Sequence, residues 1–192
     1  MEILNKVQIQ STDNLVVDKL KRFLRKGMFN SINEDVLTEG FQKRILYPTN
    51  DFHLTKEQFH AIKCLLQPDE NLILFQMGFD DGFFSPKNSY YKINCDINYR
   101  EYDEIWIDSI SALSSDTWEW LVLIDEALEG GLGVFIASEE VVKKFSEIYV
   151  NMTTDIIRFV ELFLYHRNPS PEMIKFMMDI LCMCKQDRGR FA

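Results

Sequence analysis

Carboxylates supply most of the chemistry this sequence could do. Asp80-Asp81-Gly82 and, further along, Glu101, Asp103, Glu104 and Asp108 are oxygen donors of the kind that hold magnesium or manganese when a fold brings them together. That set makes a carboxylate-metal-dependent hydrolase or transferase one reading of the chain. The competing reading makes Asp80-Asp81-Gly82 a turn and the remaining acids a solvated face.

Other patterns lack a component. Leu121-Val122-Leu123-Ile124-Asp125-Glu126 has the outline of a nucleotidase metal-binding strand, but that strand works only beside a G-x-x-x-x-G-K-[ST] phosphate loop, and no glycine here precedes a lysine. Gly130-Gly131-Leu132-Gly133 looks like a phosphate cradle. Cradles follow a strand and open a helix, whereas here the spacing predicts a helix before the glycines and a strand after them. His60 and Cys64 are four apart and can share a helix face as a dyad, without an identifiable third member. Cys182 and Cys184 lie about 200° apart around a helix and cannot share a metal.

A different use of the acids needs no reaction. Glu101, Asp103, Glu104 and Asp108 are interleaved with Tyr99, Tyr102 and Trp106. Aromatic anchors inside an acidic rim suit a Lys/Arg-rich protein, with charge steering the encounter and aromatics slowing release. These seven residues are the candidate partner-binding surface.

The charge distribution favours that use. Between positions 96 and 140 twelve acids face one base, Arg100, in a chain of net charge −9. Such a segment repels phosphates and anionic headgroups, which argues against direct nucleic-acid or membrane binding. Helix caps account for Asp116, Glu119, Glu139 and Glu140, since acids are favoured at helix N-termini regardless of function. The other eight still include the aromatic-flanked group.

Several elements must position these residues. Weak alternation predicts a strand at residues 6–10, and Ser11-Thr12-Asp13-Asn14 opens a helix running to Lys26 and stopped by Gly27. Leu15, Leu20, Phe23 and Leu24 mark its apolar side. Residues 28–53 are irregular, with a short helix at 33–38 and breaks at Gly40 and Pro48. Leu54 and Thr55 read as staple and cap of a helix carrying Phe59, Ile62 and Leu66. Leu72-Ile73-Leu74-Phe75 suits a central strand covered on both faces. Residues 89–96 and 104–108 alternate as half-exposed strands, the latter placing Glu104, Trp106 and Asp108 on one outer face. Asp116 and Glu119 read as the start of a helix over 116–129, with Trp120, Leu121, Ile124, Ala127 and Leu128 as its stripe. A second doubly apolar strand follows at 132–137. Ser138 caps a helix with Val141, Val142, Phe145 and Ile148 inward, and helices at 153–166 and 171–185 form a C-terminal hairpin.

The expected fold is therefore α/β or α+β: one domain over residues 1–192, with a mixed four- or five-stranded sheet flanked by helices. The helical pair of residues 151–192 closes it. With 192 residues and fifteen Phe, the chain can bury a core without disulfides. No apolar run reaches about 18 residues and the first six residues lack an apolar secretion segment, so the expectation is a cytoplasmic chain with reduced thiols.

The functional expectation is a non-enzymatic, acidic protein-binding module without a cofactor. The physical character resembles that of an inhibitor such as an immunity protein, capturing a basic protein such as a nuclease toxin; no motif carries that analogy. A regulatory or scaffold role through the Met-rich C-terminal helices is the other non-enzymatic reading.

Overall fold

Residues that are apolar on two sides dictate the architecture. The structure, a computed structural model, describes residues 6–23, 40–80, 83–125 and 131–150, with nine separate positions between 155 and 178. In chain order the elements are β1 (Val7–Ser11), α1 (Asn14–Lys21), β2 (Phe41–Leu46), α2 (Lys56–Lys63), β3 (Leu72–Asp80), β4 (Phe83–Ile93), α3 (Tyr99–Asp103), β5 (Ser111–Ser115), β6 (Trp120–Asp125), β7 (Leu132–Ser138) and α4 (Glu139–Ile148). The strands form one sheet in the order β1-β4-β3-β5-β6-β7-β2, with every neighbouring pair antiparallel. The class is α+β, and the expected strand number of four or five was too low. Among the described residues no strand pair is parallel, where a mixed sheet was expected, and part of the segment expected to be a helix over 116–129 is itself the strand β6.

Four of the five inner strands, β3, β5, β6 and β7, have apolar side chains on both faces because both faces are covered. One face carries Leu72, Leu74, Leu113, Trp120, Val122, Ile124 and Phe135 beneath Phe59, Ile62, Tyr102, Val142 and Phe145 from α2, α3 and α4. The other carries Ile73, Phe75, Ala112, Leu121, Leu123, Val134 and Ile136, with Val16, Leu20 and Phe23 of α1 and the turn after it. Among the described residues no helix is long and apolar enough to cross a membrane.

Helix starts follow the expected caps. Asp13 accepts the Val16 N–H at 3.0 Å, Thr55 and Gln58 form a capping box, and Ser138 receives the Val141 N–H. The first helix ends at Lys21 with Arg22 as its C-cap and a turn over residues 22–23, short of the expected Lys26; residues 24–39, including the short helix expected at 33–38, lie outside the described residues. The C-terminal hairpin of residues 151–192 also falls largely outside them. Ile148, expected inward, is 38% exposed, while Val142 and Phe145 carry the inner face of α4. The predicted strand at 89–96 ends at Ile93 and extends back to Phe83.

The helix expected over 116–129 is the main correction. Residues 116–119 are the turn of a β5–β6 hairpin, in which the Trp118 N–H donates to the Ser115 carbonyl at 3.1 Å. The Asp116 N–H donates to Asn71 at 2.9 Å, tying the turn to the strand before it in the sheet. Trp118 sits at φ +59°, in the left-handed region, and its buried indole packs on Phe75 at 5.6 Å between centroids. Left-handed backbone costs an L-residue about 1–2 kcal/mol, which the burial of a large ring offsets. A measurable inversion follows. Once the ring is removed, Trp118→Gly should be more stable than Trp118→Ala by about 1 kcal/mol in urea unfolding, because glycine adopts this φ freely. On a helix the order is reversed by a similar amount, so alanine proving more stable would contradict the hairpin.

A buried polar chain joins α2, the end of α4 and residue 155. Gln58 donates to the Pro48 carbonyl at 3.0 Å and to the Tyr149 hydroxyl at 3.4 Å, and that hydroxyl donates to Asp155 at 2.8 Å. Asp155 is 2% exposed. Burial pushes its carboxyl up to about 6 from the ordinary 3.8, against the opposing pull of Tyr149, the Tyr47 N–H and Arg158. A folded-state pKa above the unfolded one means that the folded chain holds this proton more tightly. The associated stability is complete below the unfolded value and is lost as pH rises through about 6. Thermal melts of wild type and Asp155→Asn at several pH values should show wild type gaining on the amide variant as pH falls from 7.5 to about 5. A constant gap across that range would exclude a raised Asp155 pKa.

Candidate functional site

The expected acidic stripe is not a strand. Residues 99–103 form the short helix α3, started by Asn98, whose side chain receives the Glu101 N–H while Glu101 returns to the Asn98 N–H. Glu104 is the last residue of the helical turn, and 105–110 is a connecting segment leading into β5. The alternation nevertheless survives: Ile105 and Ile107 are each 7% exposed and enter the core, whereas Trp106 is 76% exposed. Two buried isoleucines thus pin the loop on either side of an outward indole.

Backbone contacts fix this arrangement further. The Trp106 carbonyl accepts from Gln76 Nε2 at 3.1 Å and from the Tyr91 hydroxyl at 3.4 Å. The preceding carbonyl, that of Ile105, accepts from His53 Nε2 at 2.9 Å. Burial lowers the His53 pKa, opposed by that carbonyl and by Asp103 and Asp51. Gln76 reaches Trp106 because the β3–β4 register shifts between Phe75 and Met77; such bulges redirect a side chain.

The seven predicted site residues divide by environment. Tyr102 has no exposed surface; it stacks on Phe59 at 4.4 Å and its hydroxyl accepts the Leu54 N–H at 3.2 Å. It belongs to the core and cannot touch a partner, because the inner side of α3 packs on α2. Burial drives its phenol pKa far upward. Tyr99 is half-buried, its hydroxyl 3.2 Å from the Leu54 carbonyl and 3.3 Å from Asp103; burial and then Asp103 raise its pKa. Glu101 is committed to the cap and to Lys6 at 3.1 Å; the Asn98 N–H and then Lys6 hold its carboxyl below the usual range.

Asp103, Glu104, Trp106 and Asp108 remain as the exposed group. Asp103 accepts from Asn50 at 2.7 Å, Glu104 pairs with Arg100 at 3.1 Å, and Asp108 pairs with Lys87 at 2.8 Å. Lys87 lowers the Asp108 pKa and also donates to Gln76. Lys6 and Lys87 come from outside the acidic segment, so counting charge within that segment overstated its field. Exposed pairs of this kind contribute little under solvent screening.

Ile9 was missed. It is 71% exposed on β1 and lies opposite Tyr91 in the β1–β4 register, next to the tyrosine that reaches Trp106. Ile9, Tyr91 and Trp106 therefore mark one corner of the sheet, edged by Asp103, Glu104 and Asp108. The alternation of residues 6–10 was the available signal, but it did not show which side of the strand would remain uncovered.

The enzymatic patterns fall only partly on described residues. Among the described residues, no three His, Cys, Asp or Glu side chains are grouped to hold a metal ion. Asp81 lies outside the described residues, as do the side chains of Asp80 and Asp125 and all of Glu126. Leu121 to Ile124 do lie on a strand, contrary to the helix expected there; Gly131 precedes β7, Gly133 lies in it, and the last described element before them is the strand β6. Both glycines pack against the end of β2 and the segment after it, Gly131 against Thr49 and Asp51 and Gly133 against Thr49 and Leu46. His60 Nε2 and Cys64 Sγ are 3.8 Å apart on the exposed side of α2, and Cys64 also lines a groove of about 390 Å³ with Trp120, Lys144 and Ile148.

Together these features define an α+β chain with an open antiparallel sheet and a preformed acidic, aromatic corner. No family model matches the chain, and no curated protein or solved structure does.

Proposed function

We propose that the chain is a non-enzymatic binding module whose corner around Trp106 captures a basic protein. The observation that carries this reading is the presentation of Trp106: 76% exposed, between two buried isoleucines, with its carbonyl held from β3 and β4. A large apolar ring held out to water at fixed geometry stabilises nothing in the isolated chain, but on a partner it is a hot spot that needs little ordering on binding. Asp103, Glu104 and Asp108, exposed on either side of it along the chain, favour lysines and arginines. An inhibitor of the immunity type, covering the anion-binding site of a cationic nuclease toxin, is the specific form this proposal takes.

The test is affinity capture from source-cell lysate, supplemented with the product of any adjoining gene. Wild type and the combined Glu104→Lys, Asp108→Lys variant serve as baits at about 50 mM and 500 mM salt. The expected result is a basic protein retained by wild type at low salt and depleted at high salt and on the variant. Retention of the same protein by a folded variant at both salt concentrations would overturn the assignment of this surface.

A further inference from the structure

The sheet has a second interaction feature, independent of the acids. β1 is its terminal strand and pairs, among the described residues, with β4 alone. Asn94 N–H donates to the Lys6 carbonyl and Thr12 N–H to the Asn88 carbonyl, each at or below 2.9 Å. In an antiparallel ladder the residues that bond a given neighbour alternate. Gln8 and Gln10 therefore bond β4, while Val7, Ile9 and Ser11 direct their N–H and C=O groups away from the sheet.

Protected edges use charge, proline, a bulge or a cover. β1 has none of the first three: its sequence is Val-Gln-Ile-Gln-Ser, and its register with β4 is unbroken. The opposite edge, β2, includes Lys43 and Arg44. β1 also reads the same in both directions around its centre, Gln8-Ile9-Gln10.

We infer that β1 pairs with β1 of a second copy, antiparallel and centred on Ile9, to join two sheets into one. In this register Ile9 meets Ile9, Gln8 meets Gln10 and Val7 meets Ser11. The outward groups of residues 7, 9 and 11 then face their counterparts with hydrogen-bonding geometry at each opposed pair. The two Ile9 side chains, now 71% exposed, become a cross-strand apolar pair beside Tyr91. The glutamines pair amide to amide on the other face. The two-fold axis stands perpendicular to the sheet, so both Trp106 corners lie on the same side of the joined sheet.

Salt distinguishes this contact from capture of a basic partner. Two copies of net charge −9 repel, so screening strengthens self-association where it weakens binding to a cationic protein. Sedimentation equilibrium of the full chain from about 10 µM to 1 mM, at about 50 mM and 500 mM salt, reads it directly. Wild type should rise with concentration from 22.7 kDa towards twice that mass, and further at high salt. Ile9→Pro removes an outward N–H that makes no ladder bond among the described residues, and should remain monomeric with an unchanged circular dichroism spectrum. Ile9→Lys changes only an exposed side chain and should weaken association at least about tenfold; it decides the matter if the proline variant does not fold. A wild type that stays monomeric at the highest concentration in both salts overturns the inference. So does undiminished dimerisation by folded Ile9→Lys.

Discussion

Trp106→Ala is expected to weaken binding of the proposed basic partner about 100-fold while changing the chain's own stability by less than about 0.5 kcal/mol. The asymmetry follows from exposure. The indole stands in water in the free chain, and the hydrogen bonds fixing its residue run through the backbone carbonyl, which alanine retains. Tyr102→Ala, four residues earlier in the same aromatic-acidic segment, should do the opposite. Tyr102 is fully buried and stacked on Phe59, so its truncation should cost about 3–5 kcal/mol. Binding by the fraction that remains folded should be little changed. Urea unfolding and partner titration on both variants separate anchor from core; a large stability loss for Trp106→Ala would place the indole in the fold instead.

Gly131→Ala is expected to be among the most destabilising single-methyl additions in the chain. A Cβ at Gly131 would lie 2.7 Å from the Asp51 carbonyl oxygen and closer still to Thr49 Oγ1, at φ +65°. The hydroxyl can rotate away, but the carbonyl belongs to the backbone, and the Thr49 N–H already donates to the Gly131 carbonyl at 3.3 Å. Left-handed strain and displacement of the 49–51 segment together should cost about 2–4 kcal/mol, lowering the melting temperature by about 5–15 °C in a chain of this size. Gly40→Ala is the control. Gly40 also has positive φ, +91°, but nothing among the described residues lies within 4 Å of its Cβ position, so its cost should be limited to about 1–2 kcal/mol of backbone strain. Equal losses at the two positions would mean that the close approach at Gly131 is absent.

Local signals were legible where one residue type has one use. Asp13, Thr55 and Ser138 begin helices as their short polar side chains predict, and the two-sided apolar runs in β3 and β7 are strands buried on both faces. The same property hid β6. Trp120-Leu121-Val122-Leu123-Ile124 is apolar at every position, so it contains a helical stripe as readily as a strand, and Asp116 with Glu119 supplied a false cap. Nothing local reveals that Trp118 turns left-handed over Phe75. β2 was obscured because Gln42, Lys43 and Arg44 interrupt its apolar residues. Asn98 and Glu101 form a true capping box that went unread because alternation at 104–108 drew the strand assignment.

At the site, alternation identified Trp106 as outward and Ile105 and Ile107 as inward even though the element was misassigned. What the sequence could not show were contacts between distant segments: Lys87 on Asp108, Gln76 on Trp106 and Ile9 beside Tyr91. Each depends on strand order, which local patterns leave open. Tyr102 was grouped with the surface because three aromatics in one acidic segment look alike until the inner side of α3 is known.

The most direct test of the proposed binding role is the rate at which the chain associates with a basic protein recovered by affinity capture, measured across salt for wild type and the Glu104→Lys, Asp108→Lys variant. Fast association that falls steeply with salt, slowed about tenfold or more at low salt by the reversal, is the predicted result. A rate insensitive to both salt and reversal, or capture that never yields a basic protein, would contradict the proposed role of the corner.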